Sequence, residues 1–399
     1  MTPAPTSSPA VAPLLGRRIQ VAGSASPRTE ARLVTYAHDL VRRIVVNILV
    51  AGGGIVASVG KEPRAPGGAA DSPSLTFDWT ALEATAECIR NGSLLWPGSL
   101  GLPIVLVSSE KSESEIPESR RSLYDFLLTS GKVRVEAIMP GSRAAVFLRE
   151  RQAQFGDALV VLGGGTGVEH LAELYLSRRR PALPLDLALG ASREDGTGGA
   201  LGLSKKARAQ PSRFLRFGPA EAGTEGTALS SVASHDGNAP TAEIAGRVSA
   251  ILAKVARPDA FYVRLLRPDH AKFSAVEAFF REVVDPIVAE AGLNRIEMGT
   301  DRTEHAFMNV AIFESLHFAS VVIVDVTGER PNCFIELGYG LRNTNRVLVT
   351  AEEGTNLPFD QQAIPCHFWK PSDPASERQN AFSEFWKKNI DRPAIVKGS

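Results

Sequence analysis

Cysteine is scarce in this chain: Cys88, Cys333 and Cys366 are the three among 399 residues. They form no CxxC pair and no metal-ligand spacing with the seven histidines. That argues against a structural zinc site and suits a reducing compartment such as the cytoplasm. Net charge is missing as well. Lys+Arg and Asp+Glu are 44 each, which argues against a generally basic nucleic-acid coat while leaving room for a local patch. No apolar run approaches the ~18 residues of a membrane span. The N-terminus, MTPAPTSSPAVAPLLGRR, lacks the basic start and long apolar stretch of a secretory signal. Its Pro, Ser and Ala content predicts a disordered tail over residues 1–16.

What is present is enough apolar material, 44% of the residues, for ordinary cores. The length is that of two or three domains. Apolar runs alternate with helical stretches, and glycines follow several of the runs. Strands are expected at Arg18–Ala22, Val45–Ala51, Pro103–Ser108, Val133–Met139 and Ala158–Leu162. Helices are expected at about Thr29–Arg43, Trp79–Asn91, Ser142–Phe155, Val168–Ser177 and Thr241–Val255. Ser192–Pro240, rich in Gly, Ser and charge, reads as a long surface excursion. A second series follows Pro258, with strands at Phe261–Leu266, Val321–Val326 and Arg346–Thr350. Its helices are Ser274–Ala291 (broken near Pro286), Glu304–Phe318, one beginning at Phe334 and a closing one at Phe382–Lys388. The pattern predicts an α/β protein of two domains, residues 17–257 and 258–399, each a parallel Rossmann- or flavodoxin-like sheet with flanking helices.

Three small-residue loops stand out in the first domain: Gly23-Ser24, Gly52-Gly53-Gly54 and Gly163-Gly164-Gly165-Thr166-Gly167. Placed beyond the carboxyl ends of parallel strands, such loops let backbone N–H groups approach phosphate oxygens. Their convergence predicts a nucleotide or phosphosugar pocket; three tight βα turns are the plainer alternative. A P-loop is excluded, because Ile55 stands five positions before Gly60-Lys61 and Glu62 follows. Arg143 and Arg149 are candidate phosphate partners, since a guanidinium binds phosphate bidentately, with a solvated helix face as the equal alternative. His170 reads as a helix-surface residue.

The strings IQVAGSAS, ILVAGGG and DALVVLGGGTGVEHLAE, in that order, resemble the SLOG superfamily over roughly Gly16–Val255. That superfamily contains LOG phosphoribohydrolases and nucleotide-sensing domains of bacterial conflict systems. The catalytic LOG pattern, PGGxGTxxE, is not kept: Gly163, Val168 and Leu171 occupy its proline, threonine and glutamate positions. Glu169 or Glu173 would serve in a shifted register. The resemblance therefore implies a sensing role, with Gly23, Ser24, Gly52, Gly53, Arg143, Gly164, Gly165, Thr166, Gly167 and Glu169 as the residues that hold a nucleotide-derived signal.

The second domain carries two carboxylates of interest. Asp325 is the one charge in the strand VVIVDV, near its carboxyl end, and Glu336 lies in the first turns of the next helix. An anion facing a crevice suits cleavage of a glycosidic bond, in which the sugar C1′ becomes oxocarbenium-like. A capping Asp325 and an ordinary helix-surface Glu336 are the alternative. Arg264 and Arg267 are candidates to face pyrophosphate, with a strand-end salt bridge as the equal alternative. Asn332 and Tyr339 are candidates to bind ribose or stack a base, with packing as the alternative. Asp301 and Thr303 read as helix caps, while Phe273, Phe279 and Phe280 read as core.

ASVVIVDVTGERPNCFIELGYGLR, with RVLVT and LPFD, resembles the TIR-like and nucleoside 2-deoxyribosyltransferase-like domains over about Asp259–Trp369. The resemblance implies a flavodoxin-like sheet and N-glycosidic cleavage of nucleotides, with Glu336 as the catalytic carboxylate and Asp325 as its strand-end partner. Arg330 stands where deoxyribosyltransferases carry a further aspartate, so hydrolysis is expected in preference to deoxyribosyl transfer. NAD is the expected substrate, because nicotinamide departs neutral without a strong general acid, and no cofactor is required. The pairing resembles effectors of bacterial antiviral defence. It implies ligand-induced homo-oligomerisation, with Ser192–Pro240 near the moving interface. A non-enzymatic nucleotide-binding module and a LOG-like phosphoribohydrolase are the alternatives.

Overall fold

The computed structural model describes residues 12–64, 72–96, 101–138, 141, 144–190, 198–218, 221–297, 308–343, 346–357 and 364–390. The chain divides into two units, Met1–Trp96 with Leu102–Ala256, and Pro97–Gly101 with Arg257–Ser399. Each is a parallel sheet with flanking helices, the α/β class that the alternating pattern implies.

The first sheet has six strands: β1 (Arg18–Ser24), β2 (Gly54–Ser58), β3 (Ile104–Ser109), β4 (Val133–Ile138), β5 (Ala158–Gly163) and β6 (Ala182–Leu185). Their order is β4-β3-β2-β1-β5-β6, all parallel. Strands β3 and β5 are buried along their whole length, as the apolar runs require of a sheet covered on both faces. From β1 the chain winds outward through β2, β3 and β4, then returns to place β5 on the other side. The winding direction reverses between β1 and β5, so the crevice beyond the carboxyl ends of these two strands is the switch point at which such sheets take ligands.

Val45–Ala51 is not a strand. It is the end of a 20-residue helix, Ala31–Val50. Leu33, Val34, Ala37, Leu40, Val41, Ile44, Val45, Ile48 and Leu49 are buried along it, a 3.6-residue stripe that overrides the β preference of the IVV run. Gly52 then ends the helix at φ 87°, and the Gly53 N–H donates to the Ile48 carbonyl at 2.9 Å. The Ser192–Pro240 stretch is likewise no loose excursion where it is described. It folds into helices Gly199–Ala209, Pro211–Leu215 and Glu225–Ser231, which bury Leu203, Phe214, Leu215 and Leu229. Leu14, assigned above to a disordered tail, is fully buried, and its N–H donates to the Ala51 carbonyl at 3.0 Å.

The second sheet contains β7 (Asp259–Val263), β8 (Asn294–Glu297), β9 (Val321–Asp325), β10 (Val347–Glu352) and β11 (Cys366–Trp369). The order β11-β10-β9-β7-β8 is the flavodoxin-like one, read from its far edge. Its switch point lies between β7 and β9. The helix expected to break near Pro286 instead passes through a π turn, Phe280–Val284, between helical segments Phe273–Phe279 and Asp285–Glu290. Proline lacks an N–H and crowds the preceding turn, and the wider π turn accommodates it.

Phe279 stacks on Trp369 of β11 at 4.5 Å and Phe382 packs edge-on against Trp386, and His367, in the same strand as Trp369, is buried beside Phe279 and Phe382. The imidazole lies 5.4 Å from the Phe382 ring, and its Nε2 has no hydrogen-bond partner among the described residues. Burial pushes the His367 pKa down to about 4. An unfolded histidine titrates near 6.5, so the unfolded state binds this proton first as pH falls. The stability of the second unit is thus expected to be highest above pH ~6.5 and to drop by about 3 kcal/mol between there and pH ~4 from this group alone. Thermal melts of His367→Phe should lack that share of the loss. A wild-type-like pH dependence in the variant would assign the acid sensitivity elsewhere.

Candidate functional site

In the first unit the β1 and β5 ends meet directly. Ser24 pairs with Gly163 across the strands, and the Gly164 N–H donates to the Ser24 carbonyl at 2.7 Å. The helix Thr166–Ser177 starts at once, with Gly165 at its N-cap and no side-chain cap. Its first N–H groups therefore face outward with the positive end of the helix dipole, an arrangement that attracts anions. Arg149 stands beside it: its guanidinium would lie 3.4 Å from a Cβ on Gly167. Arg149 Nε donates to His170 Nδ1 at 3.0 Å. His170, read above as surface, thus aims the guanidinium. Glu169 accepts the Gly199 N–H at 2.7 Å, while Glu173 pairs with Arg213 at 3.2 Å.

The expected convergence holds for Gly23-Ser24 and Gly163–Gly167 but not for Gly52 and Gly53. Gly54 pairs with Arg18 at the start of β1, so Gly52 and Gly53 lie at the amino edge of the sheet, opposite the switch point. They terminate a helix there, away from the other two loops. Arg143 lies outside the described residues. A cavity of about 370 Å³ adjoins the β1 loop, lined among others by Ser26, Arg28, Thr29, Arg32, Gly190 and His235. The sequence reading passed over these residues. The signal available was the i, i+4 pair Arg28 and Arg32 directly after a β1 glycine loop.

Gly167 is the residue with which to test this cradle. Gly164 has φ 72° and no room for a Cβ, which would meet Val168 at 2.4 Å, so any substitution there disturbs the loop itself. Gly167 is helical and open apart from Arg149. Gly167→Asp is expected to keep the fold, because an acidic first turn suits the dipole, and, if the loops hold a nucleotide as their sequence predicts, to weaken its binding at least tenfold by repelling phosphate. Calorimetric titration with a nucleoside triphosphate checks this; unchanged affinity would move the expected phosphate site elsewhere.

The second unit rearranges the expected constellation. Asp325 is fully buried and is not open to a crevice. It accepts the Thr327 N–H at 3.0 Å, the Thr350 hydroxyl at 2.8 Å and the Trp369 indole N–H at 3.0 Å. Desolvation holds its pKa above the ordinary range, against the pull of these bonds. It is a tie between β9, β10 and β11. Arg264 is also buried and is neutralised by Glu277 and Glu297, so it does not face a pyrophosphate. Exposed Arg267 pairs with Asp269 at 2.8 Å.

Glu336 is different. It is the sixth residue of the helix Pro331–Asn343, half-buried, and desolvation raises its pKa, with no opposing partner among the described residues. Asn332, Glu336 and Tyr339 fall at i, i+4 and i+7 and share one helix face. Asn332 is exposed; Tyr339 packs on Phe313 at 5.2 Å, and its hydroxyl lies 3.0 Å from His317 Nδ1. Asp301 and Thr303 lie outside the described residues. Among the described residues no cluster of His, Cys, Asp or Glu is placed to hold a metal ion, and no helix is long and apolar enough to cross a membrane.

ATP nucleosidase Cap17 of Escherichia coli strain KTE188 is 32% identical over 193 residues, 48% of this chain and 36% of that protein. A second Escherichia coli ATP nucleosidase Cap17 matches to the same extent. The match thus spans about a third of the length of these relatives. A solved structure of a fungal multi-domain GH3 β-N-acetylglucosaminidase with a GCN5-related glucosamine N-acetyltransferase region covers 92% of this chain and 51% of that one. Its identity is 11% and its TM-score 0.21, a level that carries no argument. Residues 14–249 match the family described as ATP nucleosidase Cap17-like, N-terminal, and the chain belongs to that family.

Proposed function

We propose that this chain is a nucleotide N-glycosidase that acts in antiviral defence, in which the first unit binds a nucleotide at the β1/β5 switch. Membership of a family named for ATP nucleosidases supports this most directly, since it falls on the unit that carries the uncapped helix and Arg149. We assign the cleavage to Glu336 of the second unit. A half-buried carboxyl with a raised pKa can keep a proton for a departing purine, and once ionised it can stabilise the cationic sugar. ATP and NAD are both substrates to test. Adenine departs more readily when protonated, whereas nicotinamide leaves neutral without that help. The SLOG-like unit acts as the sensor and the TIR-like unit as the effector, in a cytoplasmic protein that assembles into homo-oligomers on ligand binding.

A second reading keeps all the chemistry in the first unit, as a LOG-like hydrolase. It is favoured by one observation: the family match ends at residue 249, before Arg257, where the sheet-bearing part of the second unit begins. The test is incubation of the full chain with ATP, AMP and NAD, followed by chromatography of released base. Base release that disappears in Glu336→Gln supports the effector reading. Adenine release that survives the substitution supports the first unit. Binding without turnover under every activating condition leaves a binding module.

A further inference from the structure

Three segments of the second unit meet at a carboxylate that neither resemblance assigns. Glu352 ends β10 and is 9% exposed. Its N–H donates to Thr327 Oγ1 at 2.8 Å, which ties it to the loop after β9. Its Oε1 accepts from Lys272 Nζ at 2.7 Å, which ties it to the segment after β7. The same segment sets His270 against the β9 loop, where a Cβ on Gly328 would stand 3.0 Å from the imidazole. The carboxyl ends of β7, β9 and β10 therefore converge at the switch point, where open α/β sheets take ligands.

Glu352 Oε2 is buried there without a hydrogen-bond partner among the described residues. A buried acceptor left unmatched is expensive, and native structures keep few of them outside working sites. Lys272, by contrast, has a side chain half exposed to water and is free to move. A cation is the wrong occupant, because the ammonium already supplies the positive charge. A ligand that carries both hydroxyl donors and an anionic group satisfies both side chains.

We propose that Glu352 and Lys272 form a ribose-phosphate corner of the second unit. On ligand entry Lys272 swings outward to a phosphate oxygen and uncovers the carboxylate, which accepts hydrogen bonds from the vicinal ribose hydroxyls. A carboxylate offers acceptors alone, on two oxygens, and so matches two neighbouring hydroxyls. The inference rests on the nucleotide-glycosidase reading of this unit and names the groups that hold the sugar.

The test is calorimetric titration of the full chain with ribose 5-phosphate and 2-deoxyribose 5-phosphate, neither of which contains a base. Wild type is expected to prefer ribose 5-phosphate about tenfold, the worth of one hydrogen bond to a charged group. Glu352→Gln should shrink that preference to about threefold or less. Lys272→Met, at a half-exposed position that tolerates change, should weaken both sugars about tenfold and keep the preference. A purely structural Glu352 would lower the melting temperature in Glu352→Gln without moving the ratio. No wild-type binding, no preference, or unchanged affinity in Lys272→Met would overturn the corner. An intact preference in a chain that releases no base supports the corner and removes the glycosidase reading; base release without the preference does the reverse.

Discussion

Glu336→Gln is expected to slow base release by about a hundredfold to a thousandfold, while nucleotide affinity stays within about threefold. Glutamine keeps the shape and hydrogen-bonding capacity of the side chain but can neither hold a transferable proton nor carry charge. Its effect should therefore fall on the transition state, where the sugar becomes cationic, and little on the ground state. The pH profile adds a sign. Desolvation raises the Glu336 pKa, so its neutral form persists to higher pH than that of an exposed glutamate. If the proton is needed, as for adenine release from ATP, the rate should fall as pH rises through that pKa. If the anion is needed, as for nicotinamide release from NAD, the rate should rise through it. Stopped assays of both substrates across pH 4–9, with the glutamine variant as the flat reference, measure this. Near-normal release by Glu336→Gln would remove the residue from the chemistry.

Asp325→Ala is expected to destabilise the second unit by about 3 kcal/mol or more, since it leaves three buried donors without an acceptor. Those donors are the Thr327 N–H, the Thr350 hydroxyl and the Trp369 indole N–H, and they join the β9 loop to β10 and β11. Asp325→Asn keeps one acceptor oxygen in place and should cost less. Denaturant unfolding monitored by tryptophan fluorescence orders the two variants. Among molecules that remain folded, Asp325→Asn should release base at close to the wild-type rate. A well-folded Asp325→Asn protein with turnover reduced a hundredfold would return Asp325 to the reacting groups.

Some features of the site were legible in the residues alone. The GGGTG loop sits where apolar DALVVL ends and a helix pattern begins, and a strand followed by glycine and a helix N-terminus is a local arrangement. So is the placement of Glu336 on one helix face with Asn332 and Tyr339, which follows from their spacing. The failures share one cause. Gly52-Gly53 follows an apolar run just as Gly23 does, but the run belongs to a helix, whose stripe is visible only when read back to Leu33. Asp325 and Arg264 look like exposed charges at strand ends. Each is enclosed by partners from distant positions, Thr350 and Trp369 for the first and Glu277 and Glu297 for the second.

By itself the sequence determined the α/β class, most strands and the glycine loop that joins β5 to the helix after it. These depend on periodicity and on turn chemistry, which act over a few residues. Only the tertiary structure decided which charges are solvated and which are sealed, because burial and pairing depend on strand order and on what each strand end meets. The same difference separates Glu336, half-buried with its pKa raised by desolvation, from Asp325, which is held by three donors in the core. It also brought Lys272 to Glu352, 80 residues apart in the chain, at a strand end where a carboxylate oxygen is unmatched among the described residues.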